Sequence, residues 1–346
     1  MMIRFECDYT EGAHPRIMEA LLATNMEQTQ GYGVDEHCEH ARELIREKCG
    51  KSDADVNFLV GGTQTNVTVI ASILKPYQGV VCADSGHINV HETGAVEAAG
   101  HKVLALSSTD GKISAAQIEE IYISHMQDGS REHMVQPGLV YISQPTEIGT
   151  LYTKEELTAI SDVCRQSDIP LFLDGARLGY GLAAQGNDVT LEDIAELCDV
   201  FYIGGTKVGA LFGEAVVITK ENLKKDFRYN IKQRGGMLAK GRLLGIQFEE
   251  LFRDDLYMEI SSHADRLAMK IKKAFQQKGI PFAVDSNTNQ QFPVLNKNQA
   301  DKLAEKYTFD KNDHELENGP SKVRFCTSWA TKEENVDALV QDIMEL

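Results

Sequence analysis

The chain of 346 residues carries 35 lysines and arginines against 52 aspartates and glutamates, a formal net charge of -17, with 42% hydrophobic residues. Such a length holds one large domain with an appendage, or two ordinary domains, and buries a sizeable core; the acidic surplus opposes the phosphate backbone of nucleic acid. No run of about 18 apolar residues exists, the opening MMIRFECDYTEGAH is acidic where a secretion leader would be basic and then apolar, and seven scattered cysteines without a CxxC pair fit a reducing compartment, so a cytoplasmic protein with no membrane or nucleic-acid partner is expected.

Pro15 opens a first helix, and Asp35 caps a second that runs to Lys48–Gly50. Within it HCEH (His37 to His40) reads as a solvated helix face rather than a zinc site, because His37 and Cys38 point different ways and no second ligand cluster follows; no metal is expected. Short apolar runs then alternate with helical segments. VNFLV, GVVCA, KVLAL, GLVYI, PLFLD and VFYIG, the last ending at Gly204, lack polar alternation and read as strands covered on both faces. Helices are predicted over Thr63 to Leu74, Ala115 to Met126 and Lys154 to Gln166, the last introduced by Thr153 and Glu156 in a capping-box pattern. The alternation predicts an α/β architecture with a mainly parallel sheet. Beyond Thr219 the pattern changes: a helical stretch from Met237 to Lys278, broken near Asp254, leads to candidate strands QQFPVL and KVRFCTSW and a final helix from Glu333 to Met344. A large domain over 1–253, including the N-terminal arm, and a small α+β domain over 254–346 follow.

Chemistry concentrates at the ends of the predicted strands. In FLVGGTQTN, Gly61, Gly62 and Thr63 join a strand to a helix, where free amides and a hydroxyl make an anion cradle; a plain tight turn is the alternative, and the P-loop lysine is missing. In LFLDGARLGYGLAA, Asp174 ends a strand and faces the crevice of an open sheet, unless it merely pairs with Arg177 in a turn. The GxGxxA match at Gly179 to Ala184 lies too far beyond the strand to bind a dinucleotide. In FYIGGTKVGALFGEAVVIT, Lys207 follows Thr206 among glycine and apolar residues, where desolvation would free its amine as a nucleophile; a lysine bound for solvent is the alternative. His87, in DSGHINVHETGA, could present an imidazole face or move protons. Arg324, inside an apolar candidate strand, needs a carboxylate partner from the protein or from a substrate. Cradle, carboxylate and lysine together are the parts that hold pyridoxal 5'-phosphate: phosphate, pyridine nitrogen and aldehyde respectively.

The motifs GGTQTN, GHINVHETGA, LFLDGARL, GGTKVGALFGEAVV and IKQRGGMLAKG make the sequence resemble the threonine aldolase family, within the β-eliminating lyase group of fold-type I pyridoxal phosphate enzymes, over nearly the whole chain. The resemblance implies an aspartate-aminotransferase-like three-layer α/β/α large domain, a Schiff base at Lys207, a pyridine partner at Asp174, His87 stacked on the ring, and Thr206 and Arg177 beside the cofactor. It also implies a substrate carboxylate held by Arg177 and Arg324 with help from Cys7. Homodimers or homotetramers with shared sites are implied, Lys232 reaching a neighbour's cofactor phosphate and Tyr32 entering from a neighbour. The implied activity is cleavage of L-threonine or L-allo-threonine to glycine and acetaldehyde, the alternative being another pyridoxal phosphate lyase or an aminotransferase acting on a small amino acid. Two positions depart from the family: Cys7 is commonly serine, and the loop SQPTEIGT lacks the histidine that approaches the substrate hydroxyl, leaving Glu147 or a water held by His87 in that role.

Overall fold

The computed structural model describes residues 2–346. Seven strands form its main sheet: β1 (Asp55–Leu59), β2 (Gln78–Ala83), β3 (Lys102–Leu106), β4 (Gln136–Ser143), β5 (Leu171–Asp174), β6 (Val200–Gly204) and β7 (Glu214–Ile218). Their order is β1-β7-β6-β5-β4-β2-β3. All run one way except β7, which pairs antiparallel with both β1 and β6. Because successive strand side chains point to opposite faces, Val81, Val140, Leu171 and Phe201 enter one apolar layer, while Val80, Leu139, Phe172 and Val200 enter another. Each fully buried side chain of this kind contributes about 1.5–3 kcal/mol through removal from water, which is why these strands carry no polar stripe.

The helices predicted from apolar period and caps form at Gly62–Ile73, Ala115–Gln127 and Lys154–Gln166, the last with the reciprocal Thr153–Glu156 box. Asp35 caps Glu36–Cys49, its carboxylate accepting from the Cys38 amide at 2.9 Å. The long helical stretch starts later than expected, at Arg242, and breaks as predicted: Arg242–Phe252 and Leu256–Gln277 are separated at Asp254 and Asp255, both with positive φ. β7 was not anticipated, since Phe201 to Thr219 reads as one glycine-punctuated motif. The Gly205 and Thr206 amides both donate to the Gly213 carbonyl, at 2.9 and 3.1 Å, and so close the loop between β6 and β7.

A second apolar core lies in the C-terminal part, where Phe282–Val284, Ser321–Lys322 and Phe325–Cys326 flank Gln290–Leu295 antiparallel. KVRFCTSW is therefore not one continuous strand: Arg324 interrupts it, bridging to Asp310. The opening residues of the N-terminal arm reach into this core. Ile3–Arg4 pairs parallel with Tyr307–Thr308, and Phe5 is buried against Tyr307 and Phe325. From there the chain crosses to the main sheet, where the His14 amide donates to the Gly209 carbonyl at 2.8 Å. That crossing carries Cys7 and Asp8 past the loop of Lys207. No helix of the described residues is long and apolar enough to cross a membrane.

Candidate active site

A cavity of about 190 Å³ opens where several strands end, bordered by Gly61, Gly62 and Thr63 after β1, His87 after β2 and Glu147 after β4. Asp174 and Arg177 close it from the end of β5, Thr206 and Lys207 from the β6–β7 loop, and Glu214 from the start of β7. The lysine is set by the loop closure just described. Among the described residues its amine has no hydrogen-bond or ion-pair partner, while its backbone carbonyl accepts from the Tyr180 hydroxyl at 2.6 Å. Burial and the nearby Arg177 cation lower its pKa against the opposing pull of Asp8, Asp174 and Glu214, a shift toward the neutral, nucleophilic amine.

Asp174 is anchored from four sides. Oδ1 accepts from the Ala176 amide at 2.9 Å and the Tyr202 hydroxyl at 2.5 Å; Oδ2 accepts from Tyr141 at 2.6 Å and the Asn66 amide at 3.1 Å. Gly175 allows the chain to turn here, since a Cβ would lie 1.9 Å from the Tyr202 carbonyl oxygen. Asn66 also donates to Glu92 Oε1 at 2.8 Å, and the same oxygen meets His87 Nδ1 at 2.8 Å. One carboxylate and one amide thus link His87 to Asp174 through a buried network. Burial opposes protonation of His87, but its bond to Glu92 and the field of Asp174 prevail and raise its pKa.

Arg177 does not pair with Asp174, as a simple turn would have it. Its Nε and Nη2 donate to the two oxygens of Asp8 at 2.7 and 2.9 Å, and Asn289 donates to Asp8 Oδ2 at 2.9 Å. Arg324 contacts Asp310 at 3.0 Å and the Glu6 carbonyl at 3.1 Å, while its Nε is buried without a partner. Of the residues expected at a substrate carboxylate, Arg177 borders the cavity, while Arg324 and Cys7 are not among its lining residues; the charges of both arginines are felt at the buried Cys326 thiol. Thr206 donates its hydroxyl to Glu214 Oε1 at 2.8 Å and accepts from the Gly213 amide at 3.0 Å.

Tyr32 and Lys232 lie outside the cavity of their own chain, next to one another, with the ammonium 4.9 Å from the ring centroid. HCEH is a solvated face only in part: Glu39 and His40 are exposed, but Cys38 is fully buried, and His37 and His40 both bond Glu249, at 2.9 Å each. No group of three or more metal-ligating side chains suited to a metal ion occurs among the described residues. Sequence reasoning missed Asp8, Asn66, Glu92, Tyr141, Tyr202 and Glu214. Asp8 had a readable signal, an acid beside Cys7 in a chain with two arginines to be paired. The others come from separate strands and helices and meet only in three dimensions.

The residues present fit pyridoxal phosphate. The helix Gly62–Ile73 begins without a side-chain cap, the amides of Gly62, Thr63 and Gln64 find no acceptor among the described residues, and a Cβ at Gly61 would meet nothing within 4 Å. An anion at such a start satisfies orphan donors and the helix dipole together. An unpaired lysine amine for an aldehyde and a fixed carboxylate for a ring nitrogen complete the set.

A mainly parallel sheet with these groups at its strand ends defines a fold-type I pyridoxal phosphate-dependent enzyme. The model of the beta-eliminating lyase family matches residues 5–317, and the chain belongs to that family. It is 29% identical to a low specificity L-threonine aldolase of Pseudomonas aeruginosa over 98% of this chain and 96% of the relative. To a low specificity L-threonine aldolase of Saccharomyces cerevisiae it is 25% identical, over 79% and 69% respectively. Among solved structures, a threonine aldolase of Leishmania major superposes with a TM-score of 0.95 at 44% identity, covering 99% of each chain. The aspartate aminotransferase of Thermus thermophilus shares the fold, with a TM-score of 0.71 at 14% identity over 99% of this chain and 91% of its own.

Proposed function

We propose that the protein is a low-specificity L-threonine aldolase that cleaves L-threonine and L-allo-threonine to glycine and acetaldehyde. The observation that carries this reading is the unpaired, buried amine of Lys207 in one cavity with Asp174, the uncapped helix start at Gly62 and Arg177, joined to the likeness to threonine aldolases over the whole chain. When bound, the cofactor supplies an electron sink for the pair released from the broken Cα–Cβ bond.

The protein's own groups position and move protons. Lys207 takes the aldehyde. Gly61, Gly62 and Thr63, with Thr206, would hold the phosphate, and Asp174, fixed in place by the hydroxyls that Tyr141 and Tyr202 donate to it, would pair with the pyridine nitrogen. Glu92 fixes the His87 ring against the cofactor face. Arg177 and Arg324, with Cys7, grip the substrate carboxylate and so set which bond at Cα stands across the ring plane.

Lys232 and Tyr32 serve the site of a second copy, in a homodimer or homotetramer. Their place outside the cavity of their own chain supports this, as do the exposed apolar side chains of Leu22 (79%), Met26 (87%) and Tyr229 (77%). Residues 1–253 then form the cofactor-holding part and 254–346 the part that contributes Arg324. The seven cysteines, all free, agree with a cytoplasmic location.

Incubating the cofactor-loaded protein with L-threonine and L-allo-threonine and quantifying products tests the activity. Glycine and acetaldehyde in equal amounts are expected; 2-oxobutyrate and ammonia would assign the protein to β-elimination, and a keto acid formed with an amino acceptor to transamination.

A further inference from the structure

Aldol cleavage requires an acceptor for the proton of the substrate β-hydroxyl, and several ionisable side chains border the cavity. Asp174 is fully engaged by the four donors already described. Glu214 is turned toward the lysine loop, accepting from Thr206 and from the Gly205 amide at 3.2 Å. His87 is tied through Nδ1 to the buried Glu92 carboxylate at 2.8 Å, and in the reading above its ring is given to the cofactor. Lys207 is reserved for the cofactor.

Glu147 differs from all of these. It lies in the loop that follows β4 and borders the cavity. One oxygen, Oε1, is fixed by the Ser143 hydroxyl at 2.8 Å and the His87 amide at 2.9 Å. The other, Oε2, takes no hydrogen bond from another residue among those described. The carboxyl is therefore held in place by one oxygen with the second left to meet a ligand. We propose that Glu147 accepts the β-hydroxyl proton of the substrate during Cα–Cβ cleavage, an assignment that rests on the aldolase reading above.

The step balances without an oxidant or reductant. The hydroxyl proton passes to the Glu147 carboxylate, and the O–H electron pair becomes the second bond of the departing aldehyde. The Cα–Cβ pair stays on the amino-acid side, and a proton delivered to Cα completes glycine. Burial, reinforced by Asp174, raises the Glu147 pKa against the bonds from its own amide, Ser143 and His87, a shift toward the basicity useful near neutral pH. The titratable groups that face it are Cys82 and His87 on the β2 side, Tyr141 on β4, Tyr152 beyond it and Asp174 on β5.

The test compares wild type with Glu147→Gln as cofactor-loaded holoenzymes, measuring L-threonine cleavage from pH 5 to 9 and exchange of the glycine α-proton with D2O. Exchange involves no β-hydroxyl. Expected for Glu147→Gln is a loss of about 10²–10⁴-fold in kcat for cleavage, exchange within a few-fold of wild type, and disappearance of the acidic limb along which wild-type kcat falls as Glu147 protonates. Cleavage near the wild-type rate, retention of that limb, or equal loss of cleavage and exchange would each overturn the assignment while leaving the aldolase reading in place. Failure of the wild type to cleave would overturn both.

Discussion

Asp8 has no exposed surface and meets Arg177 through two parallel hydrogen bonds, with Asn289 on its far side. Burial works against the Asp8 charge, yet Arg177 and Lys207 hold its pKa below the usual carboxylate range, and the pair leaves Arg177 Nη1 as the part of the fork not spent on Asp8. In the proposed site Asp8 thus orients the arginine that grips the substrate. Asp8→Asn keeps the shape but removes the anion, leaving a buried cation underpaired. KM for L-threonine is expected to rise about tenfold, equivalent to ~1.4 kcal/mol, with kcat changed by less than a few-fold; steady-state kinetics read both, and an unchanged KM would contradict the positioning role. The residue was legible only as an acid next to Cys7, because its arginine lies far along the chain and the crossing that joins them begins in the C-terminal core.

At the scale of elements, helices Glu36–Cys49 and Arg242–Phe252 approach so closely that a Cβ at Gly245 would lie 2.6 Å from Cys38 Cα. Beside that contact Glu249 is bonded by His37, His40 and Arg253, and His37 reaches Glu27 through its other nitrogen at 2.8 Å. Burial would lower the His37 pKa, but the bonds to Glu27 and Glu249 outweigh it and raise it; Glu249 is held low by the histidines and Arg253 despite its burial. The histidine contribution to stability is complete below its ordinary value of about 6.5 and is lost as pH rises through the raised one. The Glu249 contribution is present above about 4.3 and is lost as pH falls through the lowered one. The stability difference between wild type and His37→Gln, from urea unfolding, should therefore be larger near pH 5.5 than at pH 8; equal differences would contradict the clamp. A helix read alone shows which residues share a face, not which carboxylate a helix two hundred residues away presents, so the Glu249 contacts of His37 and His40 were not legible in HCEH. Caps and breaks were legible because their causes are local: Asp35, the Thr153–Glu156 box and the left-handed aspartates between the two long helices each act within a few residues.

Across the whole molecule the net charge of -17 belongs to the outside, while Lys207, Arg177 and Arg324 gather where an anionic cofactor and an amino-acid carboxylate would sit. Six strands of the main sheet were legible by their nearly unbroken apolar runs, which burial on both faces explains for all but the edge strand β3, where only Val103 is buried. The reversed strand β7 was not, since its antiparallel return is set by the close approach of Gly205 to Gly213 rather than by any change in composition. Gly61, Asp174 and Lys207 were legible at the site because strand ends in such a sheet converge on one crevice; the network of Asn66, Glu92, Tyr141 and Tyr202 behind them arises only from that convergence. The central claim is that Lys207 holds pyridoxal phosphate in this crevice. It is tested most directly by borohydride reduction of the cofactor-loaded protein, proteolysis and mass spectrometry of the peptides: a single pyridoxyl phosphate adduct on Lys207 is the result expected, and an adduct on another lysine, or none, would contradict it.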